Sequence, residues 1–375
     1  MTRTEKYLRE LVALPSVNPA FLPPDHPNAG ERAVQEYVAG IAVRAGLAVK
    51  FQKVAPGRSN LLSRLKPAHT NKHRILLVPH VDTVNADPES FRPRAAKGRL
   101  YARGACDTKG SVAAMLAAVC EVAARRNRPR ETEIVLATVV DEEDAQLGSR
   151  VLAASGIKAD LAIVGEPTGA RVVTAHKGSL WLRIETQGRA AHGAMPELGH
   201  NAVHDMARIV ALLEGRYAKS LLRQKHPLLG PATVNVGAIQ GGTQPNIVPD
   251  HCVIRVDRRT LPGETEASVV KSIGKLISSI GVKATITGEK TGPTSPLETS
   301  SKHPLVRLLM QSAGQREPLG VRYFCDASVL ATAGIPSVVF GPGDIAQAHT
   351  ADEWISLESL ELAKTRLVRF LSALP

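Results

Sequence analysis

The sequence predicts an α/β domain interrupted by an inserted α+β domain, and three observations lead there. Continuous apolar runs, among them Ile75-Leu76-Leu77-Val78 and Leu161-Ala162-Ile163-Val164, alternate with helical stretches. Such runs are the mark of strands buried on both faces of a largely parallel sheet. From about residue 176 they give way to strands of alternating character, and they resume after residue 292. A chain of 375 residues is also too long for one ordinary hydrophobic core.

The elements follow in order. Residues 3–14 and 28–46 read as helices, then strands are expected at 59–66 and 75–78, a helix at 109–125, and a strand at 134–140. A helix at 146–155 leads to the strand 161–164. Next, Leu180, Leu182 and Ile184 alternate as in a one-sided strand, followed by a helix at 200–215 and strands at 232–240 and 251–259. Val270, Ile273, Ile277 and Ile280 form an apolar helical stripe before a strand at 282–291. That β-α-β-β-α-β order is the ferredoxin-like unit. Beyond Pro293-Thr294-Ser295-Pro296 come a helix near 303–314 and the strand Ser337-Val338-Val339-Phe340. The turn Gly341-Pro342-Gly343-Asp344 and a helix at 357–374 complete the α/β part. The expected limits are 1–175 and 292–375 for the α/β domain and 176–291 for the insertion, with linkers near 172–177 and 291–296.

Composition narrows the function classes. An aromatic share of 3% leaves too few rings for stacking on single-stranded nucleic acid. The net charge of +12 is spread along the chain, and its densest run, Arg125 to Arg130, falls where a helix should end. Scattered basic residues fit a solvated surface, or attraction of a small carboxylate, better than a nucleic-acid face. Cys106, Cys120, Cys252 and Cys325 show no CxxC spacing, which suits free thiols in a reducing compartment. Met1 to Lys6 carries charge where a signal peptide needs its apolar core, and the Ala-rich run from Ser111 to Ala124 is too short for a bilayer. A cytoplasmic location is expected, with neither membrane nor nucleic acid as partner.

Five segments carry the candidate chemistry: Pro79-His80-Val81-Asp82, Gly104-Ala105-Cys106-Asp107, Asp141-Glu142-Glu143, Gly165-Glu166-Pro167 and His349-Thr350-Ala351-Asp352-Glu353. Four of them lie at or soon after strand ends, after Val78, near Tyr101, after Val140 and after Val164, where ligands of open α/β sheets gather. Imidazole with carboxylate is the donor set of zinc and its first-row neighbours. Asp82, two residues after His80, is placed to steady the ring. Asp107 has two oxygens to share between two metals, yet it equally suits the N-cap of the helix that follows. If residues 141–143 are extended, neighbouring side chains point opposite ways, so Glu143 could bind metal while Glu142 serves as base. Any one of these segments alone would read as a polar strand end or a solvated loop. Together His80, Asp107, Glu143, Glu166 and His349 make two nearly equivalent metal positions that share Asp107.

On these motifs the whole chain resembles the co-catalytic metallopeptidase family of acetylornithine deacetylase, succinyl-diaminopimelate desuccinylase, aminoacylase and glutamate carboxypeptidase. The resemblance implies a zinc-exopeptidase-like α/β catalytic domain with an inserted ferredoxin-like dimerisation (lid) domain. It further implies one Zn2+ on His80, Asp107 and Glu166 and a second on Asp107, Glu143 and His349, with Co2+ or Mn2+ as substitutes. Asp82 would orient His80, and Glu142 would be the base. His192, in Gly188-Arg189-Ala190-Ala191-His192-Gly193, matches a histidine that reaches a neighbouring subunit's site, ahead of His200 and His204. Asn246 and Arg259 match substrate-anchoring positions, Arg258 being expected to point away, and Gly341 and Gly343 match a turn beside the substrate. The implied activity is deacylation of an N-acyl amino acid by a homodimer. The alternatives are a metallo-carboxypeptidase or dipeptidase of the glutamate carboxypeptidase type, or a catalytically silent relative that only binds; a nucleic-acid binder ranks behind these.

Overall fold

A computed structural model describes residues 1–289 and 295–375. The chain divides into two compact units, residues 1–174 with 299–319 and 325–375, and residues 175–298 with 320–324.

In the first unit, six strands lie side by side in the order Ala48–Ala55, Arg58–Leu65, Thr132–Thr138, His73–Val78, Leu161–Val164 and Ser337–Val339. The last four run parallel, and the first two add an antiparallel hairpin at one edge. Ile75, Leu77, Ile134, Leu136, Leu161 and Ile163 join one core, and the alternate residues Leu76, Val135 and Ala162 are buried as well. Both faces of the parallel strands are therefore covered, which is why these strands read as unbroken apolar runs. Helices Arg3–Val12, Lys109–Ala123, Pro304–Ser312 and Leu357–Ser372 contribute to that core. Helices Leu147–Ala154 and Ala327–Thr332 pack together and against other strands of the sheet. Lys109–Ala123 is buried almost all round. Its alanines let neighbouring helices and strands approach from every side, and a helix apolar on all faces belongs inside.

The second unit holds a four-stranded antiparallel sheet ordered Thr233–Gly241, His251–Arg259, Leu180–Gln187 and Thr285–Gly288. Helices Ala202–Leu212 and Glu266–Ser278 cover one face, where Leu182, Ile184, Met206, Ile209, Ile254, Val256, Ile273 and Ile277 form its core. The order of these elements is β-α-β-β-α-β.

Several details differ from the sequence expectation. The helix expected at 28–46 spans only Arg32–Arg44, because Asn28 and Gly30 form backbone hydrogen bonds with Val17 instead. The helix expected at 200–215 ends at Leu212 and continues through a π-helical turn, Leu213–Tyr217, into Ala218–Leu221. The first expected linker contains a buried strand, Val173–His176. Residues 320–324 group with the second unit although the sequence reading put them in the α/β part. The strand expected at 282–291 is limited to Thr285–Gly288 among described residues. Its last two positions, and most of the linker expected at 291–296, lie outside them.

Candidate metal centre

Beyond the carboxyl ends of the parallel strands the chain gathers residues that are up to 269 positions apart, from His80 to His349 (349 − 80). His80 follows the strand His73–Val78, and its Nδ1 lies 3.0 Å from the backbone carbonyl of Asp82. A carbonyl can only accept, so Nδ1 carries the proton. Nε2 is left facing Asp107 Oδ1 at 3.2 Å and Glu166 Oε1 at 3.8 Å. On the other side, His349 Nε2 lies 3.3 Å from Asp107 Oδ2 and 3.0 Å from Glu143 Oε2. Each oxygen of Asp107 thus has a histidine of its own. Donor atoms of His80, Asp107 and Glu143 all fall within 4.8 Å of one another. Asp107 is not the cap of the following helix; that position belongs to Thr108, whose side chain makes no capping bond.

The electrostatics call for positive charge. Burial pushes Glu142 well above the usual carboxylate range, and the Glu166 carboxylate adds to the shift. Burial likewise raises Glu166, with Asp107 and Asp326 adding and His80 opposing. Glu143 is raised by burial and by Asp107. Asp107 alone of this group is held low: its bonds to His349 and His80 outweigh burial. Those same bonds to Asp107 and Glu143 lift His349 to about 10. Glu143 Oε1 and Glu166 Oε1 are buried with no hydrogen-bond partner among the described residues. Unpartnered buried carboxylate oxygens are costly unless a cation meets them. With imidazole and carboxylate as donors, the cluster fits a pair of divalent first-row ions, and His80, Asp107, Glu143, Glu166 and His349 could hold them.

Asp82 does something the sequence reading did not anticipate. Its Oδ1 accepts the N–H of Glu142 at 3.1 Å, and Oδ2 accepts the N–H of Glu143 at 3.1 Å. Its carboxylate is 3.4 Å from His80 Nδ1, farther than its own carbonyl. Residues 141–143 are not extended. Asp141 sits at φ 71°, and the turn aims both following N–H groups at Asp82. Asn18 ties this arrangement together, donating to Asp82 Oδ2 at 2.8 Å and to Asp141 Oδ1 at 3.1 Å. Arg58 donates to Asp141 Oδ1 at 2.6 Å and also grips Glu31.

Sequence reasoning missed Asn18, Arg58, Glu353 and Asp326. The first two carry no local spacing signal, and Glu353 stood in a quoted tract without a role. Asp326 is buried and accepts from Ser149 Oγ at 2.5 Å. Its other oxygen has no hydrogen-bond partner among the described residues, and burial pushes the group up to about 7. The turn at Gly341 and Gly343 is a matter of space. A Cβ at Gly341 would stand 2.3 Å from Ser111 Oγ and 2.5 Å from the Glu166 carbonyl, and one at Gly343, φ 84°, 2.5 Å from Cys106 Sγ.

The remaining candidates belong to the second unit. His192 is exposed, its Nδ1 accepting the Ala194 N–H at 3.0 Å, and it bridges to Ile247 next to the exposed Asn246. Arg259 is half-buried, with Nε 3.0 Å from Asp257 Oδ2. Arg258, on the other side of the strand, is fully buried against Tyr217 and Glu264. His200 pairs with Asp205 at 2.7 Å, and His204 is exposed on its helix.

Comparison with known proteins accords with this geometry. The sequence profile of the Peptidase family M20/M25/M40 matches residues 76–373. Acetylornithine deacetylase of Myxococcus xanthus is 31% identical over 326 residues, covering 83% of this chain and 82% of that one. The enzyme of the same name from Edwardsiella ictaluri is 30% identical over 380 residues, covering 97% and 95%. Among solved structures, aminopeptidase PepT from Bacillus cereus superposes with a TM-score of 0.81 at 23% identity, covering 99% and 97%. A dinuclear metal-binding peptidase of the M20 family from Bacillus subtilis does so at 0.71 and 13%, covering 99% and 97%. At such identities the structural likeness bears on the fold: an α/β domain with an inserted domain. By its sequence, this chain belongs to the peptidase family M20/M25/M40 and is one of its metal-dependent amide hydrolases.

Proposed function

We propose that this enzyme removes the acyl group from an N-acyl amino acid with two zinc ions in its active site. The observation that carries the reading is Asp107 standing between two histidines, Oδ1 at 3.2 Å from His80 and Oδ2 at 3.3 Å from His349. Likeness to acetylornithine deacetylases over most of the chain supports the substrate class. His80, Asp107 and Glu166 would hold one ion and Asp107, Glu143 and His349 the other, with Co2+ or Mn2+ accepted by the same donors. Such ions, when bound, polarise an amide carbonyl and make water more acidic.

The chain's own residues do the rest. Glu142, raised by burial among carboxylates, takes the proton of the attacking water and returns it to the leaving amine. Asp82 holds the backbone of Glu142 and Glu143. His192 from a second copy donates to the oxyanion. Arg259 and Asn246 anchor the substrate carboxylate, the guanidinium fork suiting a bidentate grip. The Gly341–Gly343 turn leaves room beside the substrate. In this reading residues 176–291 serve dimerisation. The four free, buried thiols suit a reducing, cytoplasmic setting, and no helix among the described residues is long and apolar enough to cross a membrane.

A carboxypeptidase or dipeptidase acts on the same chemical pattern, an amide beside a carboxylate, and the family description names peptidases. A panel of N-acetyl amino acids, N-succinyl amino acids and dipeptides separates the two. The highest kcat/KM is expected on an N-acyl amino acid; a dipeptide preferred over every acyl substrate would replace deacylation with peptidase activity. Arg259→Ala should chiefly raise KM for substrates with a free carboxylate. Equal KM values for the two proteins would remove Arg259 from the substrate site.

A further inference from the structure

Glu353 lies four residues after His349 and is 2% exposed. Its carboxylate accepts the backbone N–H groups of Gly104 at 2.8 Å, Cys106 at 2.7 Å and Asp107 at 2.9 Å. Arg103 Nη1 donates to it as well, at 2.8 Å, while Nη2 reaches the Thr350 carbonyl at 2.9 Å. Behind it, the Glu353 carbonyl accepts the Ala102 N–H at 3.1 Å. The loop that presents Asp107 is thus wrapped around one side chain, and that side chain belongs to the segment presenting His349.

Backbone N–H groups turned toward a common point form a cradle for an anion. Two carboxylate oxygens can accept all four donors. A neutral amide offers one oxygen and turns an NH2 group against N–H groups that are already donors. Glu353 itself is too occupied to coordinate anything. Its effect must pass through the loop.

We propose that Glu353 is a positioning residue that holds the Asp107 carboxylate between His80 and His349 and thereby sets the affinity of the centre for divalent cations. The inference rests on the metal-centre reading above. Its test is a zinc titration of metal-stripped wild type and Glu353→Gln against a chromophoric chelator, with the melting temperature of each stripped protein measured alongside. Zinc affinity is expected to fall about 10- to 100-fold in the variant, the range typical of partners that orient ligands. Equal zinc affinities overturn the proposal, including the case in which only the melting temperature drops, since that is what a purely structural residue would do. If Glu353→Gln does not fold, Glu353→Asp decides by the same titration. It keeps the charge but is one methylene shorter, so weakened zinc binding supports the proposal and wild-type binding overturns it. Wild-type protein that takes up no zinc overturns the metal-centre reading and this inference with it, whereas equal uptake by both proteins overturns this inference alone.

Discussion

Replacing Asn18 with alanine removes a donor shared by two buried carboxylates, Asp82 and Asp141. Both acids keep other partners: Asp82 retains the N–H groups of Glu142 and Glu143, and Asp141 retains Arg58 and the Leu147 N–H. The loss includes two hydrogen bonds to charged acceptors, each worth about 1.5–3 kcal/mol, or about 3–6 kcal/mol together, and with them the acceptor of the Ala20 N–H, Asn18 Oδ1. Asn18→Asp goes further with almost no change of shape. One carboxylate oxygen would then stand where Asn18 Nδ2 now sits, 2.8 Å from Asp82 Oδ2 and 3.1 Å from Asp141 Oδ1, and each like-charge contact costs roughly 5 kcal/mol at an effective dielectric of 20. Urea unfolding of wild type and both variants at pH 5 and pH 7.5 tests this. The order of stability at pH 7.5 should be wild type, then alanine, then aspartate. The new acid's folded-state pKa is raised above its unfolded value of about 3.9. Its penalty is absent below that value and grows as pH rises toward the folded-state pKa, so the deficit of Asn18→Asp should be larger at pH 7.5 than at pH 5. An aspartate variant as stable as the alanine variant at pH 7.5 would refute the reasoning.

The other expectations are brief. Glu142→Gln should lower kcat by about 10²–10⁴-fold while metal content by elemental analysis stays at the wild-type level; near-normal turnover would take the base role away from Glu142. Gly341→Ala forces a methyl to 2.3 Å from Ser111 Oγ and 2.5 Å from the Glu166 carbonyl. A stability loss of about 1–3 kcal/mol is expected in chemical denaturation, and an unchanged midpoint would show that the turn can open freely. His176, buried with its ring edge-on to Phe324, is held down to about 4 by burial. Its folded-state pKa lies below the unfolded value near 6.5, so stability of the second unit should be full above that pH and decline as pH falls through it toward 4. The total loss is about 3 kcal/mol, and a His176→Gln variant should lack that portion of the acid sensitivity.

What could be read from the amino acids depended on whether a signal was local. Val78, Val140 and Val164 stand near the ends of apolar runs, so the positions of His80, Glu142 and Glu166 beyond strand ends were legible. So was the ferredoxin-like order, because strands buried on one face alternate. The strand Ala48–Ala55 was not, since its lysines and exposed edge position dilute any apolar pattern. Nor was the turn at Asp141, whose positive φ has no glycine to announce it. Asn18, Arg58 and Glu353 act on partners 64, 83 and 246 residues away. No spacing rule reaches that far, and only the folded chain reveals what they hold.

The contribution of His349 and Glu353 has a consequence for how the molecule is made. On the ribosome, His80, Asp107, Glu143 and Glu166 all emerge long before either of these two residues. A nascent chain stalled at residue 340 would carry Asp107 with one of its two histidines and a 104–107 loop lacking its anion. The cluster around Asp107 therefore cannot be complete before residues 349–353 have been made, and the order of the chain itself denies it to every product that stops short of them.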